Sequence, residues 1–186
     1  MPLYHNSSVT TANLLIGNYK IETAAYGTSA GGTWVNLGAG IVNSFNHNLT
    51  KYDVQAGNAP DPLEGIAGET FTIEGELIEY DASVLAAISC GAETATVTSV
   101  QSVMNAGGNS TLTQRAFKLT NRRLISGATK ETVILVYKAT IDNGLQVTAK
   151  SDNDTDPINT MAFAITGKLD TTLSVGSQLF SVTKTL

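Results

Sequence analysis

The stretch from Glu69 to Gly91 constrains the fold more than any other part of the chain, because it predicts one strand that runs directly into one short helix. From Thr70 to Leu77, apolar residues or glycine hold the odd positions and polar residues the even positions, the period-two pattern of a half-buried strand. Asp81 then stands where a helix N-cap belongs, an apolar stripe follows, and Gly91 supplies a C-terminal stop. We therefore expect a helix over about residues 81–90.

The other segments predict strands separated by turn residues. The hairpin signal Asp142-Asn143-Gly144 joins two of them. The candidate strands are Ala12–Tyr26, Thr33–Thr50, Leu112–Leu124, Thr132–Ile141, Leu145–Lys150, Thr160–Leu169 and Gln178–Thr183. Many short strands and one helix predict a mainly β protein, a β-sandwich or barrel, formed by a single domain over residues 1–186.

A long irregular loop is expected over residues 51–68, because this stretch is rich in glycine and proline. Eighteen residues without regular structure exceed what a compact domain normally uses between neighbouring strands. The loop also contains apolar residues that a solvated linker does not need, which favours ordering by a partner. These are Tyr52, Val54, Pro60, Pro62, Leu63 and Ile66, and the acidic residues Asp53, Asp61 and Glu64 lie among them.

Charge is sparse and unevenly distributed. Charged residues make up 15% of the chain, against about 25% in typical domains. Residues 1–100 carry a net charge of −8 and residues 101–186 one of +3. Two surfaces of opposite sign favour head-to-tail docking of copies. The net charge of −5 argues against tight DNA binding, which needs a basic surface.

Motifs of catalysis and metal binding fail on inspection. Gly27-Thr28-Ser29-Ala30-Gly31 matches the nucleophile elbow of hydrolases, but a strand rather than a helix is expected after it. The aspartates of the segment 152–156 begin a calcium-loop pattern, but Pro157 replaces its essential glycine. Cys90 is the only cysteine, and no cluster of histidine and cysteine is available for zinc. We expect no enzyme activity, no cofactor and no metal.

The beginning of the chain, Met1 to Asn6, lacks the charged and apolar regions of a signal peptide. No apolar run approaches the roughly 20 residues of a membrane span. We expect no membrane association and an extended N-terminal arm over residues 1–11.

The order of these elements resembles that of the major tail tube proteins of tailed bacteriophages. The resemblance covers a polar strand, a long Gly/Pro loop, an alternating strand, a short helix and a closing strand pair. These segments are Ile41–Leu49, Lys51–Gly68, Glu69–Tyr80, Asp81–Cys90, Ala162–Leu169 and Gln178–Lys184. Two segments resemble that family more specifically. They are Glu76-Leu77-Ile78-Glu79-Tyr80-Asp81, which precedes the predicted helix, and Gly176-Ser177-Gln178-Leu179-Phe180 near the end of the sequence.

The resemblance implies a structural virion protein whose strands join across subunits in hexameric rings with a β-barrel lumen. Stacked rings would form a hollow tube through which DNA passes without specific binding. Expected partners are other copies of the chain and the tape measure, tip or baseplate, and terminator proteins of the tail. The expected location is the virion tail, assembled in the host cytoplasm. Tubes of contractile tails and of type VI secretion share this fold.

Two sets of residues are assigned to the tube. The lumen should be lined by the even-numbered face of the two strands that flank the loop, namely Asn46, Asn48, Thr72, Glu74 and Glu76. The alternative is that the two glutamates face the outer solvent. Contacts between rings are expected from the loop and from basic residues of the second half, namely Tyr52, Asp53, Val54, Asp61, Leu63, Glu64, Ile66, Arg115, Lys118, Arg122 and Arg123.

The alternative function is a monomeric β-sandwich binding module, such as a carbohydrate-binding or adhesin domain. Such modules usually display aromatic side chains on which sugars stack. One tryptophan and an aromatic content of 6% argue against this alternative.

Overall fold

The computed structural model describes residues 18–28, 32–54, 63–78, 82–89, 94–108, 112–125, 127–142, 146–148 and 159–185. These residues form ten strands and one helix. In chain order they are β1 Tyr19–Ala25, β2 Val35–Val54, β3 Leu63–Leu77, α1 Ala82–Ile88, β4 Thr94–Val97, β5 Ser102–Asn105, β6 Arg115–Ile125, β7 Ala128–Ile141, β8 Gln146–Thr148, β9 Thr160–Gly167 and β10 Phe180–Lys184.

Eight of the strands form one antiparallel sheet in the order β10-β7-β6-β1-β2-β3-β9-β8. Strand β7 pairs with β6 along one edge and, over Ala139–Ile141, with β9 along the other. The strands β7, β6, β1, β2, β3 and β9 therefore form a closed circuit. The expected mainly β fold with one short helix is confirmed, and its large sheet closes as a barrel.

The core fills the interior of this circuit. Alternate residues of the strands point inward, as the period-two geometry of a strand requires. Phe117 of β6 and Ile73 of β3 are fully buried, and Leu119, Val136 and Ile165 belong to the same buried cluster. The predicted alternation of β3 is confirmed, because Phe71, Ile73 and Leu77 are buried and Glu74 is exposed.

Helix α1 occupies Ala82–Ile88, within the predicted range of 81–90, and buries Ala82 and Ile88. The backbone N–H of Ala82 donates to the Ser102 hydroxyl at 2.9 Å. Ser102 begins β5 of the small β4–β5 sheet, so a residue distant in sequence caps the first turn. The predicted N-cap, Asp81, lies outside the described residues.

The prediction of an irregular loop over residues 51–68 is wrong at both ends of that range. Strands β2 and β3 stay paired as far as Val54 and Leu63, so 51–54 and 63–68 are strand. Gly65 can stand within β3 because the ring of Tyr52 packs over it from the neighbouring strand. A Cβ at Gly65 would lie 2.4 Å from that ring, so a larger residue would not fit. Residues 55–62, which include Asp61, and the expected N-terminal arm 1–11 lie outside the described residues.

The ends of β2 and β3 extend beyond the barrel as a two-stranded arm. Strand β1 pairs with β2 only as far as Gly40, and β9 pairs with β3 only from Phe71 onward. We call residues 49–54 and 63–69 the arm. In the described structure their strand partners are only each other.

Candidate functional site

The five residues predicted to line a lumen share one face of the sheet. Asn46 lies opposite Thr72 in the β2–β3 register, and Asn48 lies opposite Thr70. The Ser44 hydroxyl donates to the Glu74 carboxylate at 3.3 Å on the same face. Asn46, Asn48 and Glu74 are exposed, whereas Thr72 and Glu76 are half-buried.

Strands β9 and β8 extend this surface with small, neutral residues. Ala162, Ala164 and Thr166 of β9 lie opposite Glu76, Glu74 and Thr72, and Gln146 of β8 lies opposite Ala162. We call this surface of β2, β3, β9 and β8 the polar face. Its strand segments 44–48, 72–76, 146–148 and 160–167 contain no lysine or arginine. The polar face is therefore acidic, with short side chains.

The four strands that carry the polar face form a unit with two open edges. Beyond Gly40, β2 has β3 as its only strand partner among the described residues. At the other side, β8 pairs only with β9 in the same part of the chain. Open edges present unpaired N–H and C=O groups, which are a template for pairing with another chain.

The opposite wall of the barrel, made by β1, β6 and β7, carries seven of the ten lysine and arginine residues that the structure describes. Glu22 lies between two lysines, with Lys20 Nζ at 2.7 Å and Lys118 Nζ at 2.9 Å from its carboxylate oxygens. Lys118 also lies 4.7 Å from the centre of the Trp34 ring. Burial raises the pKa of Glu22, but hydrogen bonds and attraction from Lys20 and Lys118 outweigh this, so the pKa lies below its ordinary value.

Lys118 and Arg122, both predicted to contact another ring, form ion pairs within the chain. Lys118 shares Glu22 with Lys20, and Arg122 Nε lies 2.6 Å from Glu131. Arg122 is exposed, so its pair contributes little to stability, whereas the Lys118–Glu22 pair is largely buried; both pairs compete with new partners. Arg123 is half-buried and lies near Tyr19. Burial raises the pKa of Tyr19 above its ordinary value, and the positive charge of Arg123 offsets only part of this rise.

The strand register divides the predicted contact residues between the two ends of the barrel. Thr120 lies opposite Lys20, and β6 continues from there towards the end where the arm projects, so Arg122 and Arg123 lie at the arm's end. Arg115 lies opposite Ala25, at the other end of β1. Of the four basic residues, only Arg115 is therefore at the end away from the arm.

The arm is exposed and carries both charge and apolar surface. Tyr52, Val54 and Ile66 are about half exposed, at 47%, 49% and 54%. Asp53 lies directly opposite Glu64 in the register. This composition is typical of a surface that another molecule covers, because exposed apolar side chains gain from burial.

The base of the arm is held against β10 by stacked rings. Phe71 stacks on Phe180 with ring centres 4.1 Å apart, and His47 meets Phe180 edge-on at 5.5 Å. His47 Nε2 lies 3.6 Å from a Glu69 carboxylate oxygen. These contacts fix the direction in which the arm leaves the barrel.

Sequence reasoning missed a polar cluster around Asp170. The buried Asp170 carboxylate accepts hydrogen bonds from the Tyr26 hydroxyl at 2.9 Å and from the Thr172 hydroxyl at 2.6 Å. The Thr172 hydrogen bonds hold the pKa of Asp170 below its ordinary value, against the opposing effect of desolvation, and the bond to Asp170 raises the pKa of Tyr26. Tyr26 and Asp170 lie 144 residues apart, so no local pattern links them. The cluster fastens the turn between β9 and β10.

Comparison of the sequence with protein-family models and with curated proteins gives no match. Among the described residues, no group of three histidine, cysteine, aspartate or glutamate side chains is placed to hold a metal ion. None of the described helices is long and apolar enough to cross a membrane.

Proposed function

We propose that this chain is a structural protein of a bacteriophage tail, which assembles into stacked rings around a channel for DNA. The observation that carries the proposal is the four-stranded unit β2-β3-β9-β8, with an open edge on each side and a polar face free of lysine and arginine. Joining β8 of one copy to β2 of the next would satisfy both edges.

The even number of strands suits such a ring. Neighbouring strands in the unit are antiparallel, so β2 and β8 run in opposite directions and can meet as another antiparallel pair. Six copies would supply 24 strands in the lumen. At about 4.8 Å between strands, the circumference is about 115 Å and the channel about 37 Å across between backbones, and strand tilt widens it further.

The polar face would line this channel. Phosphate groups of a passing duplex meet acidic and neutral side chains there, and repulsion prevents the DNA from being held at each ring. Short side chains such as Ala162, Ala164 and Thr166 also keep the channel open. The arm, which extends beyond the barrel, would reach the next ring, and the tape measure, tip and terminator proteins would meet the tube at its ends and in its lumen.

A monomeric carbohydrate-binding module gains less support from the same structure. Trp34 is half-buried and Lys118 lies over its ring, so the ring is not free to stack on a sugar.

Hydrogen exchange on the purified chain, before and after polymerisation, tests the proposal. Light scattering and negative-stain images establish which state is present. We expect outward-facing amides of residues 41–48 and 146–148 to exchange fast in the monomer and slowly in the polymer, because edge pairing protects them. Amides of β6, which already has a partner on each side, serve as the internal control. A chain that stays a compact monomer at high concentration, or a polymer with no added protection at β2, contradicts the proposal.

A further inference from the structure

The end of the arm carries two carboxylates that lack a cation. Asp53 and Glu64 are directly opposite in the register and both are exposed. Like charges directly across a pair of strands destabilise it. Lys51 is the nearest cation on that face by register, but it forms no ion pair with either carboxylate. No other described residue does so.

At the opposite end of the barrel, a cation lacks an anion. Arg115 is half-buried, and its Nε is buried without a hydrogen-bond partner among the described residues. Leaving a buried donor of a charged group unsatisfied is unfavourable. Arg115 forms no ion pair among the described residues, and a planar guanidinium can hydrogen-bond to two carboxylate oxygens at once, so it suits an acidic pair.

Within one copy these groups do not meet. Through β7 and β9, Arg115 lies opposite Ala139, Ala139 lies opposite Gly167, and Gly167 lies opposite Phe71, which pairs with His47. Asp53 is six residues beyond His47 on β2, about 20 Å along the strand at about 3.3 Å per residue. Copies aligned end to end would bring the arm of one to the Arg115 end of the next.

Both ends also expose apolar side chains that could be buried together. On the arm these are Tyr52 and Val54, each about half exposed. Around Arg115 they are Tyr26, Val35 and Leu112, which are 37%, 46% and 58% exposed. An apolar contact around a charged pair excludes water from that pair, which strengthens it.

We propose that Asp53 and Glu64 on the arm of one copy bind Arg115 of the next copy, and that this contact gives the assembly its head-to-tail direction. The inference rests on the proposed function, because it requires copies that stack. It selects Arg115 from the basic residues considered: Lys118 and Arg122 have partners, and Arg123 lies at the arm's own end. A contact between the two opposite ends of identical copies can repeat along an axis, as the stacking of rings into a tube requires.

A charge exchange tests the pair. The acid variant carries Arg115→Glu, and the base variant carries Asp53→Lys with Glu64→Lys. We expect each variant alone to lose at least tenfold in sedimentable polymer, because like charges then meet at every contact. Mixed in equal amounts they should polymerise again in strict alternation, since each arm then meets the opposite charge. The control, Lys130→Glu, changes a cation of β7 that lies opposite Arg123, and it should polymerise like the natural chain.

The base variant gives a second readout that does not depend on how Arg115→Glu folds. It retains Arg115, so it can join a growing end of the natural polymer but then presents a basic arm. A small proportion of it should therefore shorten natural tubes in negative-stain images. If the natural chain forms tubes but the base variant polymerises equally well, or neither shortens tubes nor restores the acid variant, the pair is wrong and the tube proposal stands. If the natural chain forms no tube, the proposed function itself fails.

Discussion

The hairpin of β2 and β3 has two regions with opposite patterns. Inside the barrel, Phe45, Phe71 and Ile73 point towards the core while Asn46 and Glu74 point away from it. In the arm, the face continuous with the core carries charged residues beside the exposed Leu49 and Ile66, and the face continuous with the polar face carries aromatic and aliphatic groups without charge. Asp53 and Glu64 lie on the first of these arm faces, and Tyr52 and Val54 lie on the second.

The difference between the two regions shows that alternation of polar and apolar residues predicts a strand, but does not predict which molecule covers the apolar side of that strand. In the barrel, the apolar side is covered by the same chain, so burial there contributes directly to folding. In the arm, the Tyr52 ring covers Gly65, but Tyr52, Val54 and Ile66 stay about half exposed, so their further burial must come from another molecule. Substitutions in the barrel region should therefore change folding, and those in the arm should change assembly.

The largest expected effect on folding comes from Phe71→Ala in the barrel. Phe71 is 3% exposed and stacks on Phe180, so its loss leaves a cavity and should lower the free energy of unfolding by about 3–5 kcal/mol. Tyr52→Ser in the arm should lower it by less than about 1 kcal/mol but suppress polymerisation. Urea unfolding of the monomer and sedimentation of the polymer measure the two effects. Equal destabilisation by both substitutions would remove the distinction between the regions.

Two glycines of β3 provide a smaller, matched test. A Cβ at Gly75 would lie 2.3 Å from the Ile41 carbonyl oxygen and 2.7 Å from the Phe163 ring, so Gly75→Ala should destabilise the barrel by about 1–3 kcal/mol. At Gly68 in the arm, a Cβ would meet nothing within 4 Å, and alanine should be neutral or stabilising by about 0.5 kcal/mol. Thermal unfolding of both variants is the measurement. A destabilised Gly68→Ala variant would show that the arm packs against its own chain.

The pH dependence of stability tests the basic wall. The pKa of Glu22 is lowered in the folded chain, so its stabilisation is complete above the ordinary value of 4.5 and is lost as the pH falls through the lower folded value. Glu22→Gln should cost about 1–3 kcal/mol at pH 7 and flatten the stability curve below about pH 5. Denaturant unfolding between pH 3 and pH 7 follows this. A curve with the natural slope would mean that Glu22 does not form its two lysine pairs in solution.

The smallest effect on folding is expected for Glu74→Lys combined with Glu76→Lys. Glu74 is exposed and Glu76 half-buried on the polar face, and neither forms an ion pair among the described residues. The variant should fold and form tubes, since the open edges are unchanged, but a basic channel should retain DNA and impair genome ejection. Normal ejection through variant tubes would place these residues outside the channel.

The sequence predicted the elements whose signals are local. The period-two pattern of polar and apolar residues predicted β3 and the mainly β class. Cap residues and an apolar stripe predicted the helix that follows β3. The predicted limits of the loop were wrong because glycine and proline indicate that a turn is present, but do not indicate how many residues on each side of the turn remain paired as strands. Gly65 is held in a strand by Tyr52, a cross-strand contact that no local pattern reveals.

Contacts between distant segments could not be predicted either, because local sequence patterns do not show which distant residues meet. The closure of β7 on β9, the Asp170 cluster and the placement of Lys118 beside Glu22 each join residues far apart in the chain. Charge alone suggested four basic residues as partners for the arm. Only the strand register separates Arg115, at the far end of the barrel, from Arg122 and Arg123 at the near end.

The most direct test of the account is electron cryomicroscopy of the polymer formed by the purified chain. We predict rings in which β8 of each copy lies antiparallel to β2 of its neighbour, with Asn46, Thr72 and Glu74 facing a central channel. The arm of each copy should reach the next ring. A map with β2 unpaired at its outer edge, or with the polar face on the outside of the particle, would contradict the account.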